Sequence, residues 1–334
     1  MAYRIEAKYL RMQRGFWGAL KKPIWALAPM ADVTDAAFRR IIAKYGKPDI
    51  MWTEFVSCDG LCSPGREILL RDLWYTEGEH PIVAQFFGAN PDNFYACARL
   101  ARELGFDGID INMGCPERNV VKQGAGAAHI QNPALAKEIV QATQSGAGDL
   151  PVSVKTRIGF NAIALEEWLG HLFEMDLAAI TLHARTKKEM SLVPAHWDVV
   201  ARAVAMARAL PEDQRPLILG NGDVSNLTEA AERVAETGAD GVMIGRGIFG
   251  NPWFFSPTGD AATKSLEERF RVMLEHTYLF EELFYGKKNF DVMKKHYKAY
   301  VAGFEGAKEL RVRLMEARTA GEVETIVRAA YPNI

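Results

Sequence analysis

Eight short strand-like runs, separated for the most part by helical patterns, constrain this chain more than any other feature. They are IWALAPM from Ile24, DIMWTEF from Asp49, PIVAQFFG from Pro81, GIDINMG from Gly108, PVSVKTRIG from Pro151, AAITLHART from Ala178, PLILGNGD from Pro216 and GVMIGRG from Gly241. Most are apolar on both faces, the pattern of strands buried in a parallel sheet. The intervening helices have readable ends. NPDNFYACARLARELG carries Asn90 as N-cap, Pro91 in the first helical position and Gly105 at its close. NPALAKEIVQATQSG repeats the design with Asn132, Pro133 and Gly146, and NLTEAAERVAETG runs from Asn226 to Gly238. Only the second interval, Ser57 to His80, is irregular. Eight alternations over about 225 residues predict an α/β fold, a (β/α)8 TIM barrel. The alternative, a doubly wound sheet, calls for a glycine-rich dinucleotide turn after the first strand, and Ala28-Pro29-Met30-Ala31-Asp32 is not one.

After Pro257 helical periodicity continues without strand signal, as in LEERFRVMLEHTYLFEELF. The predicted organisation is an N-terminal arm over 1–23, a barrel over 24–257 and a C-terminal all-helical domain over 258–334. The net charge of −2 speaks against a chain that coats nucleic acid through bulk charge, so only a local basic patch would count. One exists. Between Tyr285 and Arg318 stand Lys287, Lys288, Lys294, Lys295, Lys298, Lys308, Arg311, Arg313 and Arg318, nine cations against Asp291, Glu305, Glu309 and Glu316. Tyr285, Tyr297 and Tyr300 interleave with them, suited to stacking or to packing. The cysteines are Cys58, Cys62, Cys97 and Cys115, without a second pair at zinc-ligand spacing, so no metal is expected. Cys97 falls in a helical pattern and reads as a small core residue. With no signal peptide pattern and no run of eighteen apolar residues, the expectation is a reduced, cytoplasmic protein without a membrane span.

In a barrel, chemistry sits at the carboxyl ends of the strands. There this sequence places Pro29 and Met30, Gln85, Asn112 and Cys115, Lys155 and Arg157, His183 and Arg185, Asn221-Gly222-Asp223, and Gly245-Arg246-Gly247. So many polar groups on one face are hard to explain as core packing. The last two groups are glycine turns after strands seven and eight, where barrels commonly hold phosphate, and Arg246 adds a forked donor. Lys155 has two readings: a Schiff-base amine of a lyase, or a fixed cation beside a flavin. The lyase reading leaves Cys115 and Gln85 without tasks. Cys115 lies between a glycine and a proline in DINMGCP, a turn that displays a thiol.

These residues resemble the tRNA-dihydrouridine synthases, flavin enzymes that reduce a uridine of tRNA. The similarity runs from about Leu27 to about Arg313 through APMADVTDAAFR, AQFFG, DINMGCP, VVKQGAGAA, VKTRIG, LHARTK, LGNGDV and MIGRGIFGNPW. The Asn-Met-Gly-Cys-Pro element is the most specific of these. The resemblance implies FMN held by Pro29, Met30, Ala31 and Gln85 at the ring, and by Lys155 and His183 along its polar edge. It implies a phosphate site at Asn221, Gly222, Asp223, Gly245 and Arg246. It implies substrate contacts from Asn112 and Arg185, Cys115 as general acid, NADPH as reductant and tRNA as partner, held in part by the helical tail. The reading leans to a monomer, because barrel mouth and tail must both stay open to a large RNA.

Two stretches depart from the family. The loop after the sixth strand reads KKEMSLVPAHWD, keeping only Ala195 and Trp197 of the usual pattern, which leaves the local substrate contacts open. The arm is longer than usual and basic-aromatic, with Arg11, Arg14, Phe16, Trp17, Lys21 and Lys22, and fits either RNA contact or packing. Competing expectations are a flavin barrel acting on free pyrimidines, similar to dihydroorotate dehydrogenase, a Schiff-base lyase, and a non-catalytic tRNA-binding protein.

Overall fold

The computed structural model describes residues 14–256, 261–332 and 334. All eight predicted strands form, each at its predicted run: β1 Ile24–Leu27, β2 Met51–Ser57, β3 Ile82–Phe87, β4 Gly108–Met113, β5 Val152–Arg157, β6 Ala179–His183, β7 Leu217–Asn221 and β8 Gly241–Ile244. They are parallel, in the order β1-β8-β7-β6-β5-β4-β3-β2. The ends of that order meet. The Leu27 N–H donates to the Ile50 carbonyl at 3.1 Å and the Asp49 N–H to the Trp25 carbonyl at 2.9 Å, which closes the TIM barrel. Six longer helices cover it: α1 Ala36–Tyr45, α2 Pro91–Glu103, α3 Pro133–Ala147, α4 Leu165–Phe173, α5 Trp197–Arg208 and α6 Leu227–Thr237. The interval between β2 and β3 holds only short turns of helix, such as Cys58–Leu61 and Arg66–Leu70.

The capping expectations hold in detail. The side chains of Asn90, Asn132 and Asn226 accept from the N–H groups of Asp92, Leu135 and Glu229. Gly238 closes α6 in the left-handed conformation, φ 70°. Gly146 differs from its expected role. It lies inside α3, which ends one residue later, and a Cβ there would sit 2.3 Å from the Tyr95 carbonyl of α2. It is small because two helices cross at it, and Gly148, φ 64°, takes the turn.

The described part of the arm performs packing. Trp17 is buried, stacks on Phe16 and meets Trp52 at 5.9 Å, in an apolar cluster with the starts of several strands. It plugs the end of the barrel opposite the strand carboxyl ends. Arg14 adds hydrogen bonds to the carbonyls of Glu212 and Arg215. Arg11 and the residues before it lie outside the described residues.

Beyond Phe255 the described elements are helical, the longer ones being α7 Leu266–Phe284, α8 Lys294–Tyr300, α9 Ala307–Leu314 and α10 Ala320–Ala330. The predicted boundary at 257/258 lies outside the described residues. These helices build a second apolar cluster around Phe270, Phe280, Phe284 and Leu314, which also takes in Ala36, Ala37 and Ile41 of α1 and Trp253. Tyr297 and Tyr300 belong to that core and are unavailable for stacking, because α8 turns both inward; only Tyr285, 80% exposed, faces out.

Candidate active site

A cavity of about 580 Å³ opens at the carboxyl ends of β5 to β8 and β1. Ten of the predicted site residues line it: Pro29, Met30, Lys155, His183, Arg185, Asn221, Gly222, Asp223, Gly245 and Arg246. Gln85, Asn112 and Cys115 form a layer beside it on β3, β4 and the turn that follows, and Ala31 is not among the lining residues.

That neighbouring layer is a chain of hydrogen bonds across adjacent strands. Asp110 of β4 is fully buried and accepts from the Ser153 hydroxyl and from Gln85 Nε2, each at 2.5 Å. Gln85 Oε1 accepts from Asn112 Nδ2 at 3.0 Å. Asn112 Oδ1 accepts from the backbone N–H groups of Gly114, at 3.1 Å, and Cys115, at 2.9 Å. Asn112 therefore spends both ends of its amide inside the protein, and one amide hydrogen remains for anything else. On the next strand its register partner is Lys155, whose Nζ donates to Asn221 Oδ1 at 3.2 Å. Burial pulls the Lys155 ammonium down to about 8; Arg157 adds repulsion and Asp110 opposes it. Burial pushes the Asp110 carboxyl up to about 6, against its hydrogen bonds and the attraction of Lys155.

The Cys115 turn is held from three sides. Asn112 caps its N–H, Arg157 Nε donates to the Gly114 carbonyl at 2.7 Å, and the Ala127 N–H donates to the Cys115 carbonyl at 3.0 Å. The last contact explains the second glycine of VVKQGAGAA. Gly126 has φ 60°, and a Cβ there would lie 2.7 Å from the Cys115 carbonyl oxygen. Cys115 itself is half-buried, and burial raises its thiol above the ordinary value, so the protonated form is held at neutral pH.

Cations collect at the other end. Burial, then Lys155, Arg157, Arg185 and Arg246, hold His183 far below its usual range, so the imidazole is neutral. Arg185 is 2% exposed: Nε donates to the Val193 carbonyl at 2.6 Å and the guanidinium pairs with Asp223. Asp223 also accepts from the Ala195 N–H at 2.9 Å and from Arg246 at 3.3 Å, and its carboxyl lies below the usual range, chiefly through Arg185. Two carboxylates line the cavity, Asp223 and Glu229. With Asp223 paired to the two arginines and Glu229 to Arg233 and Ser225, Lys155 and the 64%-exposed Arg246 leave the cavity suited to an anionic, phosphorylated ligand.

Asp110 was not among the predicted site residues, and Arg157 was placed at the strand ends without a role. Asp110 carried a signal, a carboxylate in an otherwise apolar run. Arg157 binds through backbone carbonyls of two loops, Gly114 on one side and Thr186 and Met190 on the other, which no local pattern announces.

The family profile described as Dihydrouridine synthase matches residues 26–333. The chain belongs to this family. It is 39% identical over 321 residues to a "Probable tRNA-dihydrouridine synthase" of Staphylococcus aureus, covering 95% of each chain. It is 38% identical to "Probable tRNA-dihydrouridine synthase 2" of Bacillus subtilis, covering 95% of this chain and 96% of that one. Among solved structures, morphinone reductase is similar at 13% identity with a TM-score of 0.51, over 78% of this chain and 88% of that one, a likeness of fold.

In this dihydrouridine synthase family member the basic tail divides into two sets. Lys288 is not a free surface cation: it is half-buried between Glu54 and Asp72, each at 2.8 Å, joining the tail to the barrel. Lys294 and Arg318 share Asp291, and Arg311 donates to the Val301 carbonyl. Lys287, Lys295, Lys298, Lys308 and Arg313 are exposed and, among the described residues, have no carboxylate partner. Lys287 lies over the Trp74 ring at 4.8 Å, and Tyr285 stands nearby in sequence.

Proposed function

We propose that this protein reduces the 5,6 double bond of a uridine in tRNA to 5,6-dihydrouridine, with FMN as bound cofactor, NADPH as reductant and Cys115 as general acid. The family membership and the relatives' printed names support the reaction. The observation that carries the mechanism is the triply held Cys115 turn, anchored through Asn112 to the strand beside Lys155.

The residues fit the cofactor. The cavity volume is in the usual range for small-molecule sites. Its walls offer Ala28, Pro29, Met30 and Met243 as apolar surface, the two glycine turns and Arg246 for a phosphate, and Lys155 as a cation at the depth of the barrel. FMN held there and reduced by NADPH would supply a hydride to uracil C6.

The protein's own residues do the rest. Lys155, fixed by Asn221, presents positive charge where negative charge accumulates on reduction. Neutral His183, with Asp223, fixes the polar edge and the phosphate side, and Arg185, lining the same cavity, contacts the substrate. Asn112 sets the Cys115 turn, and its remaining amide hydrogen is available to the uracil. The Cys115 thiol delivers the proton to C5 and the thiolate is reprotonated from solvent. The target base must leave the stack of the folded tRNA to reach this layer. Lys287, Lys295, Lys298, Lys308 and Arg313 hold the remainder of the RNA. In this reading the enzyme works in the cytoplasm as a monomer, with residues 24–257 as catalytic unit and 258–334 as RNA-binding unit. Among the described residues no helix is long and apolar enough to cross a membrane.

The lowered Lys155 amine also suits a Schiff base, which makes a carbonyl substrate the second reading. An absorption spectrum separates the readings. The synthase is yellow, bleaches with NADPH, and is reoxidised anaerobically by unmodified tRNA but not by orotate or uracil. A colourless protein that takes up no FMN, or one trapped by borohydride with a carbonyl compound, overturns the proposal.

A further inference from the structure

The loop after β6 spends much of its hydrogen bonding on holding an apolar tip outward. Its base is zipped to the loop after β5: the Lys187 and Lys188 N–H groups donate to the Gly159 and Phe160 carbonyls, each at 2.9 Å. Two buried guanidiniums grip it on either side of the tip, Arg157 on the Met190 carbonyl at 3.2 Å and Arg185 on the Val193 carbonyl at 2.6 Å. Glu189 closes it internally, exchanging hydrogen bonds with Thr186 and meeting His196 at 3.0 Å. The Leu192 N–H then donates to the Glu189 carbonyl at 2.9 Å.

What this mount carries is unusual for a loop surrounded by water. Met190 adopts φ 55°, a conformation in which glycine or asparagine is the easy choice, and stays 42% exposed. Leu192 is 86% exposed, the most exposed large apolar residue described, and Ser191 between them lines the active-site cavity. A single exposed leucine is ordinary on a protein surface. A leucine at the tip of a pinned, left-handed turn on the rim of a reaction cavity is positioned. Lys188 beside it is exposed, which suits a polyanion better than a protein or lipid partner.

We infer that Leu192, backed by Met190, is a wedge that enters the base stack of the tRNA where the target uridine leaves it. This inference rests on the reaction proposed above. Uracil flipped into the cavity leaves a gap between its former neighbours, and apolar side chains inserted between base steps stabilise such unstacked states. Arg157 grips both the Met190 carbonyl and the Gly114 carbonyl beside Cys115, so one guanidinium sets the wedge and the acid at a fixed separation. Leu192 is a positioning residue: it acts on the neighbours of the base and not on the reacting atoms.

The test compares the flavin-loaded full chain with its Leu192→Ala and Leu192→Met variants. Single-turnover reduction is followed at saturating transcript tRNA, with tRNA affinity measured in parallel. In Mg²⁺, Leu192→Ala is expected to react about tenfold more slowly with affinity little changed, and Leu192→Met to retain most of the rate. Without Mg²⁺ the tRNA fold loosens and the target base is already partly unstacked, so the deficit of Leu192→Ala is expected to narrow. A deficit equal under both conditions, or no deficit, overturns the wedge while leaving the reaction intact. A wild-type protein that reduces no tRNA overturns the reaction and the wedge with it.

Discussion

Asn112 accepts the Cys115 backbone N–H through its side-chain oxygen at 2.9 Å and donates through its nitrogen to Gln85 at 3.0 Å. One side chain thus ties the turn bearing the proposed acid to β3 of the barrel. The turn begins where β4 ends at Met113, and this contact is one of the three that hold it.

Replacing Asn112 by Ala removes the cap and leaves Gln85 Oε1 buried without its donor. The expected loss of stability is about 1–2 kcal/mol, read as a lower midpoint of thermal unfolding. The loss in uridine reduction is expected to be larger than stability alone explains, about 10²-fold, since a small misplacement of the acid is enough. Bound flavin, measured from the visible spectrum, should remain, because Asn112 does not line the cavity.

Cys115→Ala is expected to slow proton delivery by about 10²- to 10⁴-fold, measured by flavin reoxidation with tRNA, while flavin reduction by NADPH and tRNA binding persist. Cys115→Ser should lose nearly as much, since a hydroxyl is a far weaker acid than a thiol. A serine variant with wild-type rate would remove Cys115 from the mechanism.

The barrel was legible because strand and helix alternate with caps that local chemistry sets: Asn90, Asn132 and Asn226 each do in the structure what their sequence positions imply. Ten cavity residues were legible because strand carboxyl ends converge whatever the details of packing. What stayed hidden depends on contacts distant in the chain. Lys288 read as a surface cation until Glu54 and Asp72, more than two hundred residues earlier, proved to enclose it. Tyr297 and Tyr300 read as possible stacking groups because a short helix beside α1 offers no local sign of which face turns inward. Gly146 looked like a cap because nothing local reports that α2 crosses there.

The pH dependence should carry the signature of Lys155. Its ammonium lies near 8, whereas the Cys115 thiol is raised above its ordinary value, so as pH rises the cation is lost before the acid. Anionic flavin bound beside Lys155 favours the ammonium and raises that value, so the chemical step is expected to decline at a pH above 8, and Lys155→Arg to move the decline further upward. Stability responds with the opposite sense. The folded-state value is below the unfolded one, so the cost of holding a buried ammonium is full below about pH 8. It is relieved as pH rises from there toward 10.5. Lys155→Met is therefore expected to stabilise the fold by roughly 2 kcal/mol at pH 7, an advantage that shrinks above pH 8, as denaturant titrations at both pH values will show.

Lys288 and the exposed lysines should separate cleanly by what they damage. Lys288→Ala leaves Glu54 buried, 5% exposed, with its Oε2 stripped of its cation and only the Asp32 N–H, at 2.5 Å, on the other oxygen. Breaking a buried pair in this way costs about 3–5 kcal/mol, so the variant should unfold at clearly lower temperature. Because the Asp32 N–H follows the turn of Pro29 and Met30, flavin retention should fall as well. Lys295→Ala and Lys298→Ala sit on the solvent side of α8 and should leave the unfolding midpoint unchanged. Their effect should appear in tRNA affinity, with the salt dependence of binding reduced by about one counterion per lysine removed. If Lys288→Ala keeps its thermal stability and its flavin, and loses only tRNA affinity, the buried junction between tail and barrel is not the role of that lysine.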